Sequence, residues 1–249
     1  MTVPAIEITK LDKTFGSGRK KNQALTDLSL TIAQGEVFGF LGPNGAGKST
    51  TIKLLLRFLK PDRGSLRILG KTVGQQEFRH RVGYLSEFPV FYDHLSARET
   101  LLLSGRLSGM TRLALNQRIP MLLERMNLAE AVDRRVGGFS KGMKQRLGMA
   151  NALVHDPEVL IFDEPMSGLD PVGRHQIKSL IAELKQEGKT IFFSSHILSD
   201  IEALCDRIGI IHKGVLLYSG GLRDFLGTGV SLEEQFVLVI EEADHASAA

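Results

Sequence analysis

The nine residues GPNGAGKST, at positions 42–50, limit what this chain can fold into more than any other stretch. The apolar run EVFGFLG comes before them, as a buried strand would, and TIKLLLRFLK follows with apolar residues at helical spacing. Strand, glycine-rich loop and helix in this order match G-x-x-x-x-G-K-[ST], a loop that cradles phosphates. Glycine suits the loop because a Cβ would block the backbone conformations and the close approach of an anion. The sequence therefore predicts a phosphate loop and not a simple glycine-rich turn.

Each residue of this loop has an expected role. The backbone N–H groups and the helix start would face the α and β phosphates of a nucleotide. Lys48 would reach the β and γ phosphates, and the Ser49 hydroxyl would ligate Mg²⁺. The other predicted contact residues of the loop are Gly42, Pro43, Asn44, Gly45, Ala46, Gly47 and Thr50.

A second motif, VLIFDEP, is an apolar run that ends in two carboxylates, Asp163 and Glu164. In enzymes with a phosphate loop, an acidic residue at this place holds Mg²⁺. Glu164 is then a candidate general base for an attacking water. The two carboxylates could instead cap a helix. Neither motif alone identifies a family, since recombinases, helicases and kinases carry both.

Strand and helix patterns alternate along most of the chain, which predicts an α/β core with a mostly parallel sheet. The segment 96–154 has helical patterns and is expected to be an insertion into that core, beginning with a capping box at Ser96 and Glu99. RIGIIHKGVLLYSG predicts a hairpin that turns at Lys213-Gly214. SLEEQFVLVI indicates a final short helix, and residues 241–249 are expected to be a disordered tail.

Composition excludes several classes of protein. The net charge of +3 and the lack of a dominant basic block argue against a nucleic-acid binder, and GRKK at 18–21 is interpreted as a solvated loop. A single cysteine, Cys205, cannot form an internal disulfide, so a reducing compartment and a small buried apolar role are expected. No apolar run is long enough to span a membrane, and the first ten residues do not resemble a signal peptide.

Four motifs in fixed order point to one family. FSKGMKQRL precedes LIFDEP by about 20 residues, SGLD follows directly, and SSH comes later. From about residue 5 to 220 the chain resembles the ATP-binding subunits of ABC transporters, with FSKGM as a variant of their LSGGQ signature. The resemblance implies one ATPase domain over residues 1–240, with an N-terminal antiparallel β subdomain and a helical subdomain at about 88–155. It also implies that two copies pair head to tail around ATP.

The resemblance assigns further roles. Phe15 lies where an aromatic ring stacks on adenine, although a single Phe is also a common core residue. His196 matches the switch histidine that contacts the γ-phosphate. Ser140, Gly142 and the helix that follows would contact the γ-phosphate bound to the partner copy. Asp170 holds the position that communicates across the dimer.

Four residues depart from the family pattern, and one of them, Met166 in EPMSGLD, is expected to have no catalytic consequence. Glu87 replaces the usual Gln, which ligates Mg²⁺ and links the site to the membrane subunit. A carboxylate could also ligate the metal, but it adds negative charge beside the phosphates. Lys141 replaces the first signature Gly and could lie near the γ-phosphate or point to solvent. Met143 replaces the signature Gln.

The motifs YLSE, FSKGMKQRL and SLEEQFVLVI most resemble ATPases of the ABC-2 exporter type. This implies an integral membrane permease that docks near Phe88, Val90, Phe91 and Tyr92, unless these side chains pack inside the helical subdomain. It also implies a peripheral location on the cytoplasmic face of the inner or plasma membrane. The alternatives are a soluble ATPase for an assembly role such as iron–sulfur cluster biogenesis, and a regulator that binds ATP without hydrolysing it.

Overall fold

The computed structural model describes residues 3–18, 21–74, 76–227 and 231–248. The chain divides into two compact units. The first, called the core unit here, comprises residues 1–78 and 181–249, and the second, the insert unit, comprises residues 79–180. The insert unit is wider than the helical subdomain predicted at 88–155, because it also contains two β-strands and the segments that follow them.

The N-terminal part of the core unit is an antiparallel sheet in the order β2-β1-β4-β5. Its strands are β1 (Ile6–Phe15), β2 (Asn22–Ile32), β4 (Arg63–Ile68) and β5 (Lys71–Thr72). Ile6 pairs with Ile32 on one side and with Ile68 on the other, and all three side chains are buried. Apolar residues at alternate positions, such as Ile6 and Ile8 of β1, therefore form the inner face of this sheet, and the predicted antiparallel β subdomain is confirmed.

The core unit also contains a mostly parallel arrangement in the order β10-β9-β3-β8. Its strands are β3 (Val37–Leu41), β8 (Thr190–Ser195), β9 (Arg207–His212) and β10 (Val215–Gly221). Only β10 is antiparallel to its neighbour, so the predicted hairpin at Lys213-Gly214 is confirmed. All residues of β3 and β8 are buried, as expected for parallel strands with both faces covered.

The helices of the core unit include α1 (Lys48–Leu55), α6 (Leu198–Leu204), α7 (Leu222–Leu226) and α8 (Leu232–Ala248). Helix α1 ends before Pro61, because Arg57 has a positive φ of 61° and breaks the helical backbone. The disordered tail expected from residue 241 is corrected: α8 continues to Ala248, and Asp244 within it bonds to the β9–β10 turn. Good helix formers and this side-chain anchor extend the helix.

The insert unit contains a parallel strand pair, β6 (Val82–Leu85) and β7 (Val159–Asp163), and three α-helices that lie wholly within it. The helices are α2 (Ala97–Leu107), α3 (Arg112–Arg125) and α4 (Lys141–Leu153). The capping box is confirmed, since Ser96 Oγ accepts from Glu99 N and the Glu99 carboxylate accepts from Ser96 N. Pro120 lies inside α3. Helix α5 (Pro171–Gln186) contains the boundary between the two units.

Expectations drawn from composition concern Cys205, the segment GRKK at 18–21 and the possibility of a membrane-spanning helix. Burial raises the pKa of the Cys205 thiol well above its ordinary value, in keeping with a small apolar role. Arg19 and Lys20 of the predicted solvated loop lie outside the described residues. In the parts of the chain that the structure describes, no helix combines the length and the apolar character needed to cross a bilayer.

Candidate functional site

The phosphate loop joins the carboxyl end of β3 to the start of α1, in the core unit. Lys48 begins α1 and is buried, and its ammonium donates to the carbonyl oxygens of Gly42 at 2.6 Å and Pro43 at 3.3 Å. The loop therefore folds around the lysine side chain and holds the positive charge inside its curve. The first turn of α1 carries no acidic residue, so the helix N-terminus keeps its positive potential.

Two glycines of this loop are required by their surroundings. A Cβ on Gly42 would collide with the carbonyl oxygen of Ile211, and a Cβ on Gly47 would lie 2.9 Å from the carbonyl oxygen of Ala24. Gly47 also has a φ of 116°, a conformation that residues with a side chain rarely adopt. The loop is thus pressed against its own unit on one side, and its solvent side includes the exposed residues Pro43, Asn44, Gly45 and Ser49.

His196 follows β8 and lies at the same sheet edge as the phosphate loop. Leu41, the last residue of β3, pairs in parallel register with Ser195, the last residue of β8. Carboxyl ends of parallel strands meet at one edge, which is where open α/β sheets bind their ligands. The His196 side chain is exposed there. His196 and the phosphate loop therefore both follow carboxyl ends of neighbouring strands in the core unit.

Phe15 ends β1, and its ring is 37% exposed, which excludes the interpretation as a core residue. The Lys13 ammonium lies 5.6 Å from the centre of the ring. An exposed aromatic ring offers a flat face on which a base can stack.

The predicted carboxylates lie in the insert unit, after two neighbouring parallel strands. Leu85 of β6 pairs with Phe162 of β7, so Glu87 and the pair Asp163–Glu164 come from the same sheet edge. Asp163 and Glu164 are each 8% exposed. Burial and the charge of Asp163 raise the pKa of Tyr84 to about 12, so this phenol stays protonated at neutral pH.

Glu164 has an unusual backbone. Its φ of 48° lies in the left-handed region, where a residue with a side chain is strained. The turn is fixed by Ser167 N, which donates to the Glu164 carbonyl at 3.0 Å. The Ser167 hydroxyl lies 3.5 Å from Glu87 Oε1, at the outer limit of a hydrogen bond. The backbone of this strained turn therefore sets the direction of the Glu164 side chain, the candidate general base.

The signature segment begins helix α4. Ser140 is the N-cap, and its hydroxyl accepts from Met143 N at 3.2 Å. Gly142 has no close neighbour: the nearest atoms to an added Cβ lie 3.8 Å away, on Arg146 and Leu169. A helical glycine costs about 1 kcal/mol relative to alanine, and nothing in the insert unit requires one here. The open surface above Gly142 is what a phosphate group from outside the unit would need.

The Lys141 side chain is exposed, which is one of the two positions considered from the sequence. Its ammonium lies 5.3 Å from the centre of the Phe88 ring. It also lies so close to Gly168 that a Cβ on that residue would overlap it. Gly168 has a φ of 66°. The SGLD turn therefore leaves room for the lysine because its glycine has no side chain.

Asp170 caps helix α5. Its Oδ1 accepts from Gly173 N at 2.7 Å, and its own carbonyl accepts from Arg174 N. The side chain is exposed. The structure thus gives Asp170 a local role in shaping the end of the SGLD turn.

Gln145 is a residue of this region that the motifs did not single out. It is 1% exposed, and its Nε2 donates to the Pro165 carbonyl at 2.9 Å. This bond ties α4 to the turn that follows Asp163 and Glu164. The one available signal was a polar residue on the apolar face of a helix, in the motif SKGMKQRL.

Of the four apolar residues Phe88, Val90, Phe91 and Tyr92, called the aromatic patch here, three are exposed and Phe91 is partly buried. Phe88, Val90 and Tyr92 are 61%, 91% and 64% exposed. Val90, Phe91 and Tyr92 themselves line a groove of about 450 Å³, together with Leu95, Leu103 and Leu107 among others. An exposed apolar surface of this kind is typical of a binding site for a partner.

Comparisons with known proteins agree with this geometry. The family model for ABC transporters matches residues 25–167. An uncharacterized ABC transporter ATP-binding protein of Nostoc sp. is 47% identical over 231 residues, which cover 90% of this chain and 69% of the relative. The ABC transporter ATP-binding protein NatA of Bacillus subtilis is 42% identical, over 87% of this chain and 89% of the relative. The bacitracin transport ATP-binding protein BcrA of Bacillus licheniformis is 45% identical, over 85% and 68%.

Two solved structures share the fold. One, an ATP-binding subunit of an ABC transporter, superposes with a TM-score of 0.85 at 33% identity, over 94% of this chain and 99% of that one. The other is the ATP-binding cassette MJ0796, solved as a dimer in a post-hydrolysis state with ADP and Pi. It has a TM-score of 0.80 at 23% identity, over 88% of this chain and 99% of its own. The predicted ABC ATPase fold is confirmed.

Proposed function

Because the chain belongs to the ABC transporter family of ATP-binding proteins, we propose that it is the ATP-hydrolysing subunit of a membrane exporter. The observation that carries this proposal is the phosphate loop itself. Its glycines are pressed against neighbouring carbonyls, and its lysine is buried within the curve of the loop. Such a cradle suits the phosphates of ATP, with Gly42–Thr50 around them and the ring of Phe15 against the adenine.

The donor set also suits Mg²⁺. Among the described residues, no three acidic, histidine or cysteine side chains gather into a self-contained metal site. Mg²⁺ does not need one, since it usually takes one or two carboxylates and completes its shell with phosphate and water. Ser49, Asp163 and Glu87 are the residues that would hold it. The ion would neutralise charge that develops on the phosphates.

The remaining side chains divide the chemistry between them. Glu164 takes a proton from water, and the water oxygen forms a bond to the γ-phosphorus while the bond to the β–γ bridging oxygen breaks. Lys48 stabilises the charge that passes to the departing ADP. His196 holds the γ-phosphate in place. Proton abstraction by a positioned carboxylate contributes typically 10²–10⁴-fold to such a rate.

A second copy of the chain, or a homologous ATPase subunit, completes each site. Ser140 and Gly142 contact the γ-phosphate bound to the partner copy, and Asp170 lies at the dimer contact. The open surface at Gly142 supports this proposal, since its own unit leaves room there for a ligand. ATP would then favour the closed dimer, because a ligand stabilises the state that binds it.

The aromatic patch is the proposed docking surface for an integral membrane permease. Its exposure supports this, as do the transport names of the relatives. The protein would lie on the cytoplasmic face of the inner or plasma membrane, held by that partner. Export as the direction is supported by the likeness to the Nod factor export ATP-binding protein I of Rhizobium sp., which is 40% identical over 88% of this chain and 72% of the relative. No observation on the described residues favours the iron–sulfur assembly alternative.

Two measurements test this proposal. Lys48→Ala should abolish ATP binding and phosphate release, and a variant with normal turnover would contradict the assigned site. Tagged protein recovered from membranes should bring along an integral membrane subunit that mass spectrometry identifies. Tyr92→Asp should lose that subunit, and the control Leu113→Asp, at an exposed site on α3, should keep it. Equal recovery with both variants would contradict docking at the aromatic patch.

A further inference from the structure

The carboxylate of Asp244, near the end of α8, bonds to two cationic residues at the β9–β10 turn. His212 Nε2 donates to Asp244 Oδ1 at 2.6 Å, and Lys213 Nζ donates to the same oxygen at 2.7 Å. The imidazole is largely buried, whereas Lys213 is mostly exposed. These bonds, first that of Lys213 and then that of His212, lower the pKa of Asp244. We call this arrangement the α8 clasp.

The residues of the clasp are not explained by local preference. The two-residue turn Lys213-Gly214 has φ of 46° and 81°, as in a type I′ hairpin, where Asn-Gly is the favoured pair. A lysine is strained at the first of these positions. An aspartate near a helix C-terminus is also unfavourable, because the helix dipole is negative there. The ion pair between Lys213 and Asp244 offsets both unfavourable placements.

The same turn contacts the phosphate loop directly. Gly214 N donates to the Ala46 carbonyl at 2.9 Å, and the Gly214 carbonyl accepts from Thr26 N at 2.9 Å. Ile211, which precedes His212, is packed against Gly42 and Gly47 of the phosphate loop. Helix α8 and strand β2 therefore hold the Lys213-Gly214 turn. Gly214 of this turn then fixes the Ala46 carbonyl of the phosphate loop.

Peptide planarity links this carbonyl to a predicted phosphate donor. The Ala46 carbonyl and the Gly47 N–H belong to one trans peptide, so they point in opposite directions. When Gly214 fixes the carbonyl toward the turn, the Gly47 N–H is directed away from the turn. The orientation of this donor thus depends on the position of the Lys213-Gly214 turn.

From this geometry we propose that Asp244 is a positioning residue for nucleotide binding: the α8 clasp holds the Lys213-Gly214 turn so that the phosphate loop is preformed for a nucleoside diphosphate or triphosphate. The C-terminal helix thereby contributes to nucleotide affinity without touching the nucleotide. This inference rests on the proposed nucleotide site at the phosphate loop.

The test separates affinity from stability. MgADP binding is measured by isothermal titration calorimetry on the full chain, because ADP lacks the γ-phosphate that would drive dimerisation. Asp244→Asn and Lys213→Asn should each raise the Kd about twofold to fivefold, the worth of a partly exposed ion pair. Lys213→Asn also creates an Asn-Gly turn, so its melting temperature should equal or exceed that of the wild type. The control is Glu241→Gln, an exposed carboxylate on the same helix.

Steady-state kinetics give a second readout. KM for ATP should rise with the Kd, while kcat at saturating ATP stays within about twofold, because the clasp acts on binding and not on chemistry. The double variant Asp244→Asn/Lys213→Asn should bind MgADP no more weakly than Asp244→Asn, since both changes remove the same Lys213–Asp244 interaction.

Three results would overturn the inference. The first is a Kd in both variants equal to that of Glu241→Gln, with wild-type binding intact and Lys48→Ala inactive; this outcome leaves the proposed function standing. The second is a Kd that rises only in variants with a matching loss of melting temperature. The third is wild-type protein that binds no MgADP, which would overturn the proposed function as well.

Discussion

The Lys141 ammonium lies 5.3 Å from the centre of the Phe88 ring, within the range of a cation–π contact. This contact joins the start of the signature helix to the aromatic patch, inside one unit. Because the charge is engaged there, we expect Lys141→Met to lower ATPase activity by less than about threefold, the worth of an exposed cation–π contact. The control is Lys144→Met, three residues later on the same helix. A loss of about a hundredfold with Lys141→Met alone would show that Lys141 holds a phosphate.

Removal of the candidate general base should stop hydrolysis without loss of binding. Glu164→Gln is expected to lower kcat by about 10²–10⁴-fold, and ATP should then retain the protein as a dimer in size-exclusion chromatography. The control is Glu130→Gln, at an exposed site in the same unit, which should turn over normally. Normal phosphate release by Glu164→Gln would show that another group activates the water.

Glu87 should make nucleotide binding unusually dependent on the metal, because its carboxylate adds negative charge beside the phosphates unless Mg²⁺ lies between them. We expect Glu87→Gln to tighten binding of metal-free ATP about threefold to tenfold, with a smaller change for MgATP. Titrations with ATP plus EDTA and with ATP plus excess Mg²⁺ give the two dissociation constants and their ratio. An unchanged ratio would place the Glu87 carboxylate away from the phosphates.

Much of this arrangement could be predicted from the sequence. The phosphate loop, the order of the motifs and the β9–β10 hairpin are local patterns, because each is set by glycine conformations and apolar spacing within a few residues. The structure of residues 241–248 was harder to predict. Residues 241–248 continue α8 because Asp244 meets a turn some 30 positions earlier in the chain, and no local pattern encodes that contact.

The positions of single side chains were also beyond local reasoning. Whether Lys141 faces a phosphate, solvent or an aromatic ring depends on Gly168, a residue without a side chain in a separate motif. The contact of Gln145 likewise became visible only in the structure, where its hydrogen bond to Pro165 ties α4 to the turn that follows Glu164. Contacts of this kind join segments that are distant in sequence.

Ser140 allows a test that leaves the fold intact. Aspartate is as good an N-cap as serine, so Ser140→Asp should keep the melting temperature. Its charge would face the γ-phosphate on the partner copy, and we expect ATPase activity to fall at least about tenfold while MgADP still binds. Ser140→Thr, which keeps a hydroxyl cap, is the control and should remain active. Full activity of Ser140→Asp would place the signature outside the site.

The central claim is that each ATP site is built from two chains, and mixing two impaired variants tests it most directly. Lys48→Ala lacks a working phosphate loop and Ser140→Asp lacks a working signature, so each alone should keep at most about a tenth of the wild-type activity. An equimolar mixture forms mixed dimers in which one site has both intact parts, and ATPase activity should return to about a quarter of the wild-type level. A mixture no more active than the two variants measured separately would contradict a shared site.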